Sequence, residues 1–147
     1  MRRIAWLILS LSLAASCTHS WRGAGAPERM DGSVWRGTNI AREEVLIFSF
    51  TEDMVFPKDG GTREDGDVVM TYVVKGDTSW YEGRYTYLRM PTDNGTGTMS
   101  GTVGVNVHNA EGDTVSANMR YSNQRFFTRT DISGELSFYP TDPVTVQ

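Results

Sequence analysis

Residues that could act together in catalysis are few in this chain. Its two histidines are His19, near the N-terminus, and His108, which lies on the polar side of a predicted strand beside a turn. A histidine in that position is usually solvated. The sequence contains neither a Gly-x-Ser-x-Gly nor a His-Glu-x-x-His motif, and no phosphate-binding glycine loop. We therefore expect no catalytic residues, no cofactor and no enzymatic activity.

An acidic segment at residues 59–67 is the strongest candidate for binding a cation. It contains four carboxylates, and hard cations prefer oxygen ligands. The alternating aspartates of a calcium loop are absent, however, and Arg63 lies in the middle of the segment. We therefore expect a solvated acidic hairpin loop and no metal site.

Cys17 is the single cysteine, so the chain cannot form an intrachain disulfide or a cysteine-based metal site. It ends an N-terminal stretch in which Arg2 and Arg3 precede an apolar run over residues 4–15. That run suits a secretory signal and is shorter than the roughly 18–20 residues that span a bilayer. Ordinary secretory cleavage near this position is one interpretation.

The small residues Ala15 and Ser16 before Cys17 resemble the lipobox of bacterial lipoproteins. The resemblance implies a signal peptide over residues 1–16 and acylation of Cys17. Residues 18–31 contain glycine, alanine and proline without apolar periodicity, so we expect a flexible tether from Cys17 to residue 31 and one domain over residues 32–147. The residues after Cys17 resemble those of lipoproteins on the periplasmic side of the outer membrane. The implied partner is thus a membrane, reached through the N-terminal lipid.

Loss of the signal would leave 12 basic and 18 acidic residues, a net charge of −6. An acidic surface argues against binding to nucleic acid, because phosphates require a basic patch. The remaining length is enough for one domain with a single core.

Alternating apolar and polar residues predict strands over most of the domain. The clearest example is residues 97–109, where Val103, Val105 and Val107 alternate with polar residues, and a polar turn leads to a second alternating run from Val115. Further strands are predicted at 33–38, 45–50, 53–57, 68–75, 79–90, 125–130 and 134–139, with one short helix at 39–44. Successive hairpins favour an all-β fold, an antiparallel up-and-down β-barrel of about eight strands. A β-sandwich is the alternative.

Trp35, Arg36 and Gly37 in the first strand, the run from Phe48 to Phe50 and a tyrosine-rich middle resemble the small lipocalin-like lipoproteins of the calycin type. The resemblance implies a cup that holds a small hydrophobic ligand. The candidate interior residues are Trp35, Phe48, Tyr72, Tyr85, Met99, Met119, Tyr121 and Phe138.

Large side chains at these positions are also able to fill the barrel. The alternative function is therefore an envelope module that binds another protein, or inhibits it, through loops at residues 58–67 or 93–97. A carrier requires an internal cavity, whereas an interaction module does not.

Overall fold

Eight strands make up the fold of the computed structural model, which describes residues 25–92, 98–122, 124–130 and 134–141. They are β1 (Val34–Asn39), β2 (Glu44–Lys58), β3 (Gly61–Val74), β4 (Asp77–Pro91), β5 (Met99–His108), β6 (Thr114–Ser122), β7 (Arg125–Thr130) and β8 (Gly134–Thr141). Each strand pairs antiparallel with the next along the chain, and β1 pairs with β8 to close the sheet. The predicted up-and-down β-barrel is confirmed, in preference to the β-sandwich.

Alternation along β5 and β6 places one set of side chains inside the barrel and the other set in solvent. Val103, Val105 and Val107 are at most 2% exposed. The intervening turn is stabilised by Asn109, whose Oδ1 accepts hydrogen bonds from the backbone N–H groups of Glu111 at 3.1 Å and Asp113 at 2.8 Å. This hairpin forms as its sequence predicts.

The predicted helix at residues 39–44 is wrong. Asn39 and Glu44 pair with each other as the last residue of β1 and the first of β2, so four residues form a turn between them. Glu43 has a φ of 53° there, and the backbone N–H of Arg42 donates to Asn39 Oδ1 at 3.2 Å. Four residues that reverse the chain cannot propagate a helix.

The acidic hairpin loop expected at residues 59–67 is also wrong. Only Asp59 and Gly60 form the turn, and β3 begins at Gly61. Alternation in β3 turns Glu64 into the barrel, where it is 1% exposed, while Asp65 and Asp67 face outward. The carboxylates therefore diverge instead of sharing one loop. A β-bulge between Thr51 and Met54 joins two predicted strands into the single long strand β2.

Residues 25–31 differ from the flexible tether expected there. Ala26 and Met30 are 4% and 0% exposed, and the Ala26 N–H donates to the Met99 carbonyl at 3.0 Å. Residues 25–33, called the N-terminal plug below, cover one end of the barrel. This plugged end also holds the β2–β3 turn, and the far end holds the β1–β2, β3–β4 and β5–β6 turns. Residues 1–24, including Cys17, lie outside the described residues.

Aromatic rings fill the interior between the two ends. Trp35 packs edge-on against Phe126 with ring centroids 4.7 Å apart, and Phe50 packs in the same manner against Tyr85 at 4.9 Å. The Phe138 ring lies over Gly37, where a Cβ atom would come within 2.8 Å of it. Within the described ranges, no helix is long and apolar enough to cross a membrane.

Candidate functional sites

The residues predicted to line a ligand cup face inward. Six are at most 8% exposed: Trp35, Phe48, Tyr85, Met119, Tyr121 and Phe138. Tyr72 and Met99 are half-buried at the far and plugged ends, respectively. The six buried residues belong to one continuous hydrophobic cluster, and Tyr72 packs against it. The structure therefore brings seven of the eight residues together as a packed core, and Met99 lies at its plugged end outside that cluster.

A buried carboxylate holds the N-terminal plug in place. Glu64 Oε1 accepts a hydrogen bond from the backbone N–H of Met30 at 2.9 Å, and Oε2 accepts one from Asp31 N–H at 2.9 Å. The Tyr85 hydroxyl donates to the same Oε2 atom. Arg29, half-exposed, places its Nε 3.8 Å from Oε1. Backbone and side-chain donors thus compensate a charge that would otherwise be costly to bury.

Tyr87 fixes the plug at a second point. Its hydroxyl donates to the Pro27 carbonyl at 2.6 Å, and Arg89 Nε donates to the Ala26 carbonyl at 3.2 Å. Burial raises the pKa of Tyr87 far above its ordinary value. The hydroxyl therefore keeps its proton throughout the physiological pH range and remains a hydrogen-bond donor to the plug.

The far end of the barrel has its own carboxylate–tyrosine pair. Tyr72 donates its hydroxyl hydrogen to Oε2 of Glu44, which is 3% exposed, and Arg42 Nε lies 3.2 Å from Glu44 Oε1. Burial and the hydrogen bond to Glu44 raise the pKa of Tyr72 to about 12. The buried Glu44 carboxylate at this end of the barrel is therefore paired with both a hydroxyl donor and a cation.

Tyr121 differs from the buried tyrosines Tyr85 and Tyr87. Its hydroxyl is buried, and no described residue forms a hydrogen bond with it. Its ring packs edge-on against Phe126, with centroids 5.3 Å apart, and burial raises its pKa. A buried hydroxyl without a partner is destabilising relative to a phenylalanine of the same shape.

Several open depressions of the described surface lie on the outer wall. One is lined by Val69, Trp80, Glu82 and His108. Glu82 and His108 are paired across β4 and β5, so a histidine and a carboxylate are neighbours here. The depression is open, and both side chains are exposed to solvent. No metal-binding cluster of histidine and carboxylate groups occurs among the residues described.

Beside this depression, the outer wall is apolar. Thr71 in β3 pairs with Ile47 on one side and Trp80 on the other, and Val69 and Val73 flank it along its own strand. Trp80 is 62% exposed and Val69 is 40% exposed. The outer patch, as we call it, consists of Val45, Ile47, Val69, Val73 and Trp80. It lies toward the far end of the barrel, because Trp80 is close to the β3–β4 turn.

Comparison with protein-family models, curated proteins and solved structures finds no match to this chain. The class that the structure defines is a closed, eight-stranded, up-and-down β-barrel with a packed interior.

Glu64, the buried carboxylate that holds the N-terminal plug, was not among the site residues predicted from the sequence. Extending the alternation of Val68 and Met70 backwards along β3 would have placed it inside the barrel. Its position in an acidic run concealed that signal. The plug carries no comparable signal, because Ala26 and Met30 are two isolated apolar residues in a segment too short for their spacing to distinguish a strand, a helix or a loop. The proposed partner loop at residues 58–67 is mostly β3, and the other loop, at residues 93–97, lies outside the described residues.

Proposed function

We propose that this protein is a non-enzymatic lipoprotein of the cell envelope that binds another protein through the outer patch. The anchor is the lipid on Cys17, at the N-terminal side of the plug. The alternative function, carriage of a small hydrophobic ligand, is less favoured. The observation that carries this choice is a barrel whose interior is packed, combined with an exposed tryptophan on its outer wall.

Packing of the interior supports the choice because a carrier needs space for its cargo. Ligand pockets usually enclose about 300–1,000 Å³. The rings of Trp35, Phe48 and Phe138 occupy the middle of this barrel, and the plug covers one end. A ligand inside would have to displace core side chains, each of which contributes about 1.5–3 kcal/mol by its burial.

The outer patch supports a protein partner. Val69 and Trp80 are exposed, and Val45, Ile47 and Val73 are half-buried around them. Continuous apolar surface of this kind marks interaction sites, and tryptophan is enriched among the residues that dominate binding energy. Trp80 lies in β4 opposite Thr71 of β3, and a tryptophan side chain has only two rotatable bonds, so little conformational entropy is lost when a partner covers it. Glu82 and His108 give the patch a polar border. We expect a partner surface that is apolar at its centre and carries hydrogen-bond donors at its edge.

The position of the patch suits a membrane-anchored protein. The chain reaches the barrel at the plugged end, whereas Trp80 lies near the far end. A lipid on Cys17 would therefore leave the outer patch directed away from the bilayer. In this arrangement the anchor and the partner do not compete for the same surface.

Site-specific photocrosslinking in the producing cells tests the proposed function. A benzoyl-phenylalanine in place of Trp80 should form one adduct of defined mass with another protein. The matched control replaces Arg120, which is exposed on the outer wall of β6, and should give no adduct. An adduct of twice the monomer mass, or equal labelling at both positions, would count against the proposal.

The anchor is tested by metabolic labelling with palmitate. We expect label in the wild-type protein and none in Cys17→Ala, which should accumulate with its signal uncleaved. Equal incorporation in both proteins would show that Cys17 is not the acylated residue.

A further inference from the structure

We infer that the end of the β2–β3 hairpin is a second membrane contact, which docks the plugged end of the barrel onto the bilayer that holds the lipid anchor. The inference rests on the anchor in the proposed function. The residues concerned are 54–58, called the tip segment below. The ligand is a phospholipid surface.

Three exposed large apolar side chains are consecutive residues of the tip segment. Met54 is 64% exposed, Phe56 is 42% exposed and Val55 is 39% exposed. Three consecutive residues of this kind on a surface strand are costly in water. These side chains are exposed because the last part of β2 has only one neighbouring strand. β1 pairs with β2 only as far as Ser49, and beyond that residue β2 pairs with β3 alone.

The chain that leads to Cys17 leaves the barrel at the same end. Gly25, the first described residue, lies against Met99, and Gly60 at the hairpin turn lies against Pro91. Met99 and Pro91 pair with each other across β4 and β5, so both features belong to one end of the barrel. The eight residues from Thr18 to Gly25 reach at most roughly 29 Å when fully extended. The anchor therefore keeps the tip segment close to the membrane surface.

The surroundings of Phe56 suit a lipid headgroup region. An open depression beside it is lined by Pro57, Lys58, Arg63 and Asp65. Arg63 Nε donates to Asp65 Oδ1 at 3.2 Å, and Lys58, the last residue of β2, is exposed. Aromatic and aliphatic groups flanked by long cationic side chains are typical of segments that enter the interface, where the cations reach phosphate oxygens.

Strand addition by a protein is the competing explanation for an open strand edge. The tight turn at Asp59 and Gly60 makes Lys58 and Gly61 the hydrogen-bonded pair, so the nitrogen of Pro57 faces the open edge. Proline has no N–H to donate there. The bulge between Thr51 and Met54 also interrupts the edge. These features weaken pairing with another strand and leave the side chains available to lipid.

The test uses the acylated full-length protein in vesicles of phosphatidylethanolamine and phosphatidylglycerol. Because acylation consumes the thiol of Cys17, Met54→Cys provides a single site for an environment-sensitive nitrobenzoxadiazole probe. The control is Ile40→Cys, which lies in the β1–β2 turn at the far end and is 85% exposed in the wild type. Both substitutions are at exposed positions, so the fold should be retained.

We expect a blue-shifted probe at residue 54 whose emission falls about twofold or more with doxyl-labelled lipids, since interfacial insertion reaches roughly 5–10 Å. The probe at residue 40 should be unaffected. Equal, unquenched emission at both positions in vesicle-bound protein would overturn the inference and leave the anchor and the proposed function intact. A blue shift without lipid quenching would indicate a protein contact and would also overturn it. Failure of the protein to float with vesicles would refute the anchor, and the inference with it.

Discussion

The Tyr85 hydroxyl donates a hydrogen bond to Glu64 Oε2 inside the barrel. The same oxygen also accepts hydrogen bonds from the backbone N–H groups of Met30 and Asp31. One side chain of β3 thus joins the barrel wall to the N-terminal plug. Because charge-assisted hydrogen bonds are stronger than neutral ones, this junction should contribute substantially to stability.

Replacing the carboxylate tests that contribution. Glu64→Gln should lower the free energy of unfolding by about 2–4 kcal/mol, because an amide lacks the charge and directs N–H groups toward other donors. Urea denaturation followed by circular dichroism measures the change. Glu111→Gln, at an exposed turn position, is the matched control and should change stability by less than about 0.5 kcal/mol. Equal effects of the two substitutions would contradict this role of Glu64.

Two buried tyrosines should respond in opposite directions to loss of the hydroxyl group. Tyr87→Phe should lower the free energy of unfolding by about 1–3 kcal/mol, because the Pro27 carbonyl loses the hydroxyl that donates to it. Tyr121→Phe should be neutral or stabilising, since its hydroxyl has no partner among the described residues. Thermal unfolding of both variants, compared with the wild type, measures the contrast. Destabilisation of similar size in both would show that Tyr121 has a partner after all.

The Tyr72–Glu44 pair should make the protein sensitive to alkali. The pKa of Tyr72 is raised to about 12 in the folded state, against an ordinary value of 10, so the folded state retains a proton that the unfolded state loses. This contribution to stability is complete below pH 10 and declines as pH rises toward 12. Tyr72→Phe should therefore lose stability less steeply over that interval than the wild type, in urea titrations at successive pH values. Identical slopes would refute the coupling.

Gly37 should not tolerate a side chain. A Cβ atom there would lie 2.8 Å from Cε2 of the Phe138 ring, so Gly37→Ala should lower the free energy of unfolding by about 1–3 kcal/mol. Gly104→Ala is the control. There the nearest atom is Oδ1 of Asn118 at 3.2 Å, an exposed side chain that can move aside. In Phe138→Leu, the penalty of Gly37→Ala should shrink, which a double-mutant cycle would detect.

Strand order and core position could be predicted from the sequence because a strand with one buried face repeats every two residues. Val103 and Met119 show that repeat within a single hairpin, without reference to distant residues. For Glu64 the same repeat indicates an inward position, but the hydrogen-bond donors that make a buried carboxylate tolerable come from Met30 and Asp31, more than thirty residues away. Long-range compensation of a charge leaves no local pattern.

The outer patch was missed for a related reason. Val69 and Trp80 are unremarkable as separate strand residues, and only the register of β3 against β4 makes them neighbours. Registers in a barrel are set by bulges and closure as well as by local alternation. The bulge in β2, which also joins two predicted strands, has no proline or glycine within it to mark it in the sequence.

The N-terminal plug also determines how mechanical load would enter the domain. A pull on the lipid anchor would reach Ala26, Pro27 and Met30 before it reached β1. Their hydrogen bonds to Met99, Tyr87 and Glu64 connect the chain to strands β3, β4 and β5, across the barrel from its β1–β8 closure. Tension on the anchor would therefore be distributed over three neighbouring strands of the barrel wall. The hydrogen bonds between β1 and β8, which close the barrel, would carry less of this load.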